Sequence, residues 1–126
     1  MDIRPEGVLS GKIIGCAIEV HKQLGPGLLE SVYEECLCFE LSQAGISFER
    51  QREVPISYKQ NRLSSMLRLD LIVEDKVIIE VKSVKKLEMI HNAQLLSYLK
   101  LTNKKYGLLI NFNVELLKSG IRRIAN

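Results

Sequence analysis

Two runs with a period of two, residues 67–73 and 77–82, set the strongest limit on how this chain can fold. In the first, Leu67, Leu69, Leu71 and Val73 are apolar, while Arg68 and Asp70 fall on the other face. In the second, Val77, Ile79 and Val81 are apolar, and Ile78, Glu80 and Lys82 share the opposite face. The two apolar sets must coincide, because a slip of one residue would turn one of them away from the core. A three-residue loop, Glu74-Asp75-Lys76, pairs Val73 with Val77 and sets Asp70 opposite Glu80 and Arg68 opposite Lys82. A two-residue loop would set Asp70 against Val81 instead. In the first register the carboxylates have Cβ atoms roughly 5 Å apart, and like charges directly opposite destabilise a sheet. Something must offset that repulsion. Lys82 and Arg68 can do so as a surface ion network. Alternatively, the pair holds Mg²⁺ or Mn²⁺, hard cations that prefer oxygen ligands and keep waters for chemistry, and Lys82 points at the same reaction centre.

The rest of the chain supplies a frame for this hairpin. Residues 8–24 repeat Ile13, Ile14, Ala17, Ile18 and Val20 at helical spacing, and Gly25-Pro26-Gly27 ends that helix. A second helix is expected over 28–44, with Leu29, Tyr33, Cys36, Leu37 and Leu41 as its buried stripe and Gly45 as its stop. Beyond Gly45 the period changes to alternation, with strands over 48–58, 67–74 and 76–82 and a turn at Gln60-Asn61. A third helix over 89–101, a strand over 106–111 and a short strand over 121–124 follow. The order ααβββαββ, without repeats or linkers, describes an α/β fold with a mixed sheet and one domain over residues 1–126.

Composition removes several function classes. At 126 residues, with 46% hydrophobic and 26% charged residues, the chain can bury a core without a disulfide or structural metal. No apolar run approaches the roughly 20 residues that span a bilayer, and the start lacks a signal-peptide pattern, so a cytoplasmic protein with no membrane partner is expected. Cys16, Cys36 and Cys38 are an odd number set in helical patterns, which predicts reduced thiols rather than a disulfide framework. A zinc site is disfavoured, because a helix turns Cys36 and Cys38 about 200° apart. The net charge of +3 permits a polyanion partner without requiring one.

Asp70, nine residues, then Glu80-Val81-Lys82 resembles the PD-(D/E)xK nuclease signature. Gly27-Leu28-Leu29-Glu30-Ser31-Val32-Tyr33 resembles the motif of the small prokaryotic GxxExxY family, and Arg68-Leu69-Asp70 with residues 107–112 fits the same pattern. Gln94-Leu95-Leu96-Ser97-Tyr98 is similar to the QxxxY helix motif of RecB-like nucleases. The resemblance implies a restriction-endonuclease-like core, a mixed central sheet flanked by helices. It implies a metal-dependent nuclease in which Asp70, Glu80 and the Val81 carbonyl bind Mg²⁺ or Mn²⁺, Glu30 completes the acidic cluster and Lys82 assists attack of water. Nucleic acid is the implied partner, DNA before RNA. The signature's proline is replaced by Leu69, which scarcely weakens the metal site, and the absence of an evident added DNA-recognition domain argues against sequence specificity.

Ordinary structural readings stand beside these roles. Glu30 lies in a first helical turn, where a carboxylate meets the helix dipole favourably. Tyr33, one turn on, either orients Glu30 or belongs to the core, and its place on the buried stripe favours the core. Gln94 and Tyr98 share a helix face and, with Arg68, are the candidate substrate-binding residues. His91 reads as a surface or capping residue, and His21 as a partner of a helix C-terminus. The alternative to an enzyme is a catalytically inactive nuclease-fold module that binds nucleic acid or a protein. A homodimer that completes the cleft is a third reading.

Overall fold

The computed structural model describes residues 5–126. The elements are α1 (Pro5–Leu24), α2 (Glu30–Gln43), β1 (Phe48–Tyr58), β2 (Asn61–Val73), β3 (Val77–Lys82), α3 (Met89–Thr102), β4 (Tyr106–Asn111) and β5 (Ile121–Ala125). A four-residue 3₁₀ turn, Leu117–Gly120, precedes β5 and was not expected from the sequence. The five strands lie in the order β1-β2-β3-β4-β5, antiparallel except for the parallel β3–β4 pair. A parallel pair needs a crossover, and α3 supplies it. The ααβββαββ α/β fold with a mixed sheet is therefore present, consistent with a restriction-endonuclease-like core.

Each helix buries the stripe its spacing dictates. Ile13, Ala17 and Val20 of α1 and Tyr33, Leu37 and Leu41 of α2 pack on one face of the sheet against Leu71, Val73, Val77, Ile79, Val81, Leu108 and Ile110. Leu29 departs from the expected stripe. It precedes the first turn of α2 and is 74% exposed, while Glu34 is buried among the helix's apolar residues. Gly45 closes α2 with a left-handed φ of 72°; its N–H donates to the Ser42 carbonyl and that of Ile46 to the Leu41 carbonyl. On the other face, Leu95 and Leu99 of α3 pack against Leu67, Leu69, Ile72, Ile78 and Leu109. The helix sits close there because Gly107 offers no Cβ; one would lie 3.0 Å from the Leu95 side chain. Both faces are thus covered at the centre, and five of the six β3 residues are buried.

The 74–76 loop pairs Val73 with Val77, Ile72 with Ile78 and Leu71 with Ile79, the expected register. Two features of β2 differ from expectation. It begins at Asn61, because Lys59 and Gln60, both left-handed at φ 49° and 68°, make a two-residue turn that pairs Tyr58 with Asn61. The other is a break in its alternation. Leu67 and Leu69 pack beneath α3, whereas Leu71 and Val73 pack beneath α1 and α2, although residues two apart in a regular strand share a face. The strand changes face at Asp70.

Candidate metal and phosphodiester site

Asp70 sits where β2 and β3 separate. The ladder bonds end at Leu71–Ile79, and side chains take over the next step. The Val81 N–H donates to Asp70 Oδ2 at 2.9 Å, and the Asp70 N–H donates to Glu80 Oε2 at 3.1 Å. Each carboxylate is fixed by one oxygen to the backbone of the other strand. The second oxygens, Asp70 Oδ1 and Glu80 Oε1, receive no hydrogen bond among the described residues. No side-chain oxygen there is both fully buried and without a partner, so each of these two keeps some contact with solvent, although Glu80 as a whole is 4% exposed. The Val81 carbonyl points to the same side as its N–H, as extended geometry requires.

Crowding two acids into this gap has an electrostatic cost. Burial foremost, and then the Asp70 charge, lifts the Glu80 carboxyl to about 8. Asp70 is raised as well, chiefly by burial, with Glu34 and Glu30 adding to the effect while the Val81 N–H and the Lys82 charge oppose it. A cation between the open oxygens would relieve both. Two carboxylates suit a hard divalent ion, which fills its remaining positions with carbonyls or water. Among the described residues no three His, Cys, Asp or Glu side chains converge as a metal cage, so Asp70 and Glu80 would supply the only acidic ligands in the present arrangement.

Lys82 ends β3, and its backbone carbonyl accepts the Phe112 N–H at 3.0 Å. Its Nζ lies 3.5 Å from Gln94 Oε1 on α3. Gln94 shares a helix face with Tyr98, whose hydroxyl is pushed up first by burial and then by the charges of Glu80 and Asp70, while Gln94 opposes the shift. The fold therefore brings Asp70, Glu80, Lys82, Gln94 and Tyr98 to one place, at the carboxyl end of the parallel pair, where ligands of open α/β sheets bind.

Glu30 opens α2 and is exposed, near enough for Asp70 to feel its charge. Tyr33 does not orient it. Its ring is buried and stacked on Phe112 with centroids 4.6 Å apart. Its hydroxyl donates to the Gly25 carbonyl and accepts the Leu28 N–H. Ser83 Oγ donates to the Leu28 carbonyl at 2.6 Å, which ties the loop before Glu30 to the end of β3. Arg68 points elsewhere and pairs with Glu53 at 3.3 Å.

His91 forms a capping box with Glu88 at the start of α3, and His21 Nε2 donates to the Val114 carbonyl. The three cysteines are free thiols, and burial pushes Cys38 to about 11, far from the thiolate form that binds metal. Sequence reasoning missed Glu34. Its signal was position: one turn after Glu30 and between Tyr33 and Leu37 on the apolar stripe, an acid is out of place unless a partner meets it.

A mixed sheet carrying two carboxylates and a lysine at a strand end defines a class of sites suited to phosphate chemistry. Residues 8–124 match the family model described as the PD-(D/E)XK nuclease superfamily, and the chain belongs to that superfamily. No curated protein and no solved structure matches the chain significantly. Among the described residues, no helix is long and apolar enough to cross a membrane.

Proposed function

We propose that the chain is a metal-dependent nuclease of the GxxExxY type in which Asp70 and Glu80 hold Mg²⁺ or Mn²⁺ and Lys82 assists attack of water on a phosphodiester bond. The observation that carries this reading is the reciprocal anchoring of the two carboxylates, each with one oxygen on a backbone N–H and the other open beside Lys82. A bound divalent ion supplies Lewis-acid polarisation of the phosphate and an acidified water. The Val81 carbonyl adds a third ligand, and Glu30, which stands outside the cluster in the present arrangement, contributes its charge to the acidic side of the site. Lys82 places a positive charge where negative charge grows on the phosphate oxygens in the transition state. Gln94 holds the Lys82 ammonium by its amide oxygen, and with Tyr98 it offers hydrogen bonds to the substrate.

Nucleic acid, DNA before RNA, is the proposed substrate. The β1–β2 ribbon supports a polyanion: residues 54–67 include Lys59 and Arg62 and no acidic residue, and Arg68, paired with Glu53, borders them. Arg68 then serves as a phosphate contact on the ribbon rather than as a group at the metal.

The test is cleavage of single-stranded, duplex and branched DNA and of RNA by purified protein with Mn²⁺, Mg²⁺ or EDTA. Cleavage of at least one substrate that EDTA abolishes is expected. Binding of nucleic acid without metal-dependent cleavage of any of them would overturn the enzyme reading in favour of a binding module.

A further inference from the structure

Glu34 is 5% exposed, and its partners among the described residues come from β1. Arg50 Nε donates to Oε2 at 2.6 Å, and Gln51 Nε2 donates to Oε1 at 2.9 Å and to Oε2 at 3.0 Å. A buried carboxylate bridged in this way is firmly held, since charge-assisted hydrogen bonds are the stronger kind. Gln51 has a φ of 54°, a left-handed conformation that costs a residue with a Cβ stabilising free energy. In the β1–β2 ladder Arg50 pairs with Leu71 and Arg52 with Leu69, so Gln51 stands opposite Asp70.

Both strands change face at this step. On β1, Phe48 packs beneath α1 and α2, whereas Val54 and Ile56, also at even positions, pack beneath α3. On β2 the same exchange separates Leu71 from Leu69. The register is unchanged across the break, so neither strand gains a residue on the other. What keeps the break in place must then be a force on the backbone, and the one strained residue there is gripped by Glu34.

We infer that Glu34 is a positioning residue: by gripping Gln51 it locks the break in the β1–β2 ladder that turns Asp70 toward Val81 and Glu80. The consequence for metal binding rests on the nuclease reading, whereas the geometry does not. Without the grip, Gln51 relaxes toward an ordinary extended conformation, β2 regains its alternation, and the Asp70 carboxylate leaves the gap between β2 and β3.

Amide hydrogen exchange in the metal-free protein, followed by NMR, tests this directly, because the Val81 N–H reports whether Asp70 is in place. Gln51→Ala and Gln51→Gly both delete the side chain that Glu34 holds, and only alanine keeps the Cβ that makes a positive φ costly. Relative to the Ile79 amide, Val81 in Gln51→Ala should exchange roughly tenfold faster than in the unaltered protein, and in Gln51→Gly within about twofold of it. Mn²⁺ affinity, read by electron paramagnetic resonance, should follow the same order. Glu34→Ala should also loosen Val81, and adding Gln51→Gly to it should restore the slow rate. If Glu34→Ala fails to fold, the two Gln51 variants decide alone. Equal Val81 exchange in those two variants, whether fast or slow, overturns the proposal. The exchange experiment contains no metal and no nucleic acid, so its failure is distinct from a failure to cleave.

Discussion

Asp70→Asn will lose Mn²⁺ affinity and Mn²⁺-dependent cleavage together, whereas Lys82→Ala will lose roughly 10²- to 10³-fold in kcat and keep the ion. The two outcomes differ because the two residues have different tasks. Asp70 presents one open oxygen to the site while the other accepts the Val81 N–H. Asparagine preserves that acceptor and the packing but removes the charge that a divalent ion requires. Lys82 contributes a cation beside the carboxylates but does not anchor them, since each is held by a backbone N–H, so its removal leaves both ligands in place. Calorimetry with Mn²⁺ and a cleavage assay on the same preparations separate the cases. Loss of Mn²⁺ binding in Lys82→Ala, or full activity in Asp70→Asn, would contradict the assignment.

The metal-free protein will lose stability as pH rises from about 4.5 toward 8, and Glu80→Gln will flatten that profile. Glu80 moves from an ordinary 4.5 to about 8 in the folded chain, so in this window the folded state binds a proton that the unfolded state has already released. The stabilisation is complete below the unfolded value and disappears as pH passes the folded one. Its slope is on the order of 1.4 kcal/mol per pH unit for one group, a large fraction of a small domain's stability. Asp70 is displaced in the same direction and adds to the effect. Thermal unfolding in EDTA across this window measures it. Addition of Mn²⁺ at the alkaline end should restore the lost stability and release protons. A flat profile for the unaltered protein would show that Glu80 ionises in the folded chain at its ordinary pH and would contradict this prediction.

The parts of this site that were legible in the sequence are those governed by local periodicity and loop length. The alternation on either side of 74–76 leaves one register that buries both apolar sets, and that register puts Asp70 and Glu80 on neighbouring strands. Gln94 and Tyr98 were legible for the same reason, since four residues on a helix return to one face. The face change at Asp70 was hidden because Leu67, Leu69 and Leu71 are all apolar and the two sides of the sheet are both covered by helices. Apolar alternation cannot tell one buried face from the other. Glu34 was hidden because its partners, Arg50 and Gln51, lie in another element and meet it only through tertiary packing. The turn at Lys59 and Gln60 was misplaced by one residue, since neither residue is among those that usually mark a left-handed turn.

These findings separate two contributions to the site. The hairpin supplies the carboxylates and the lysine, and α2 with β1 supplies the restraint that aims one carboxylate across the gap. An anomalous diffraction map from a crystal soaked in Mn²⁺ tests most directly whether these two carboxylates hold a divalent ion. A peak is expected between the Asp70 and Glu80 carboxylates, bound by their open oxygens. A cleft without that peak, with the Lys82 ammonium bridging both carboxylates, would contradict it.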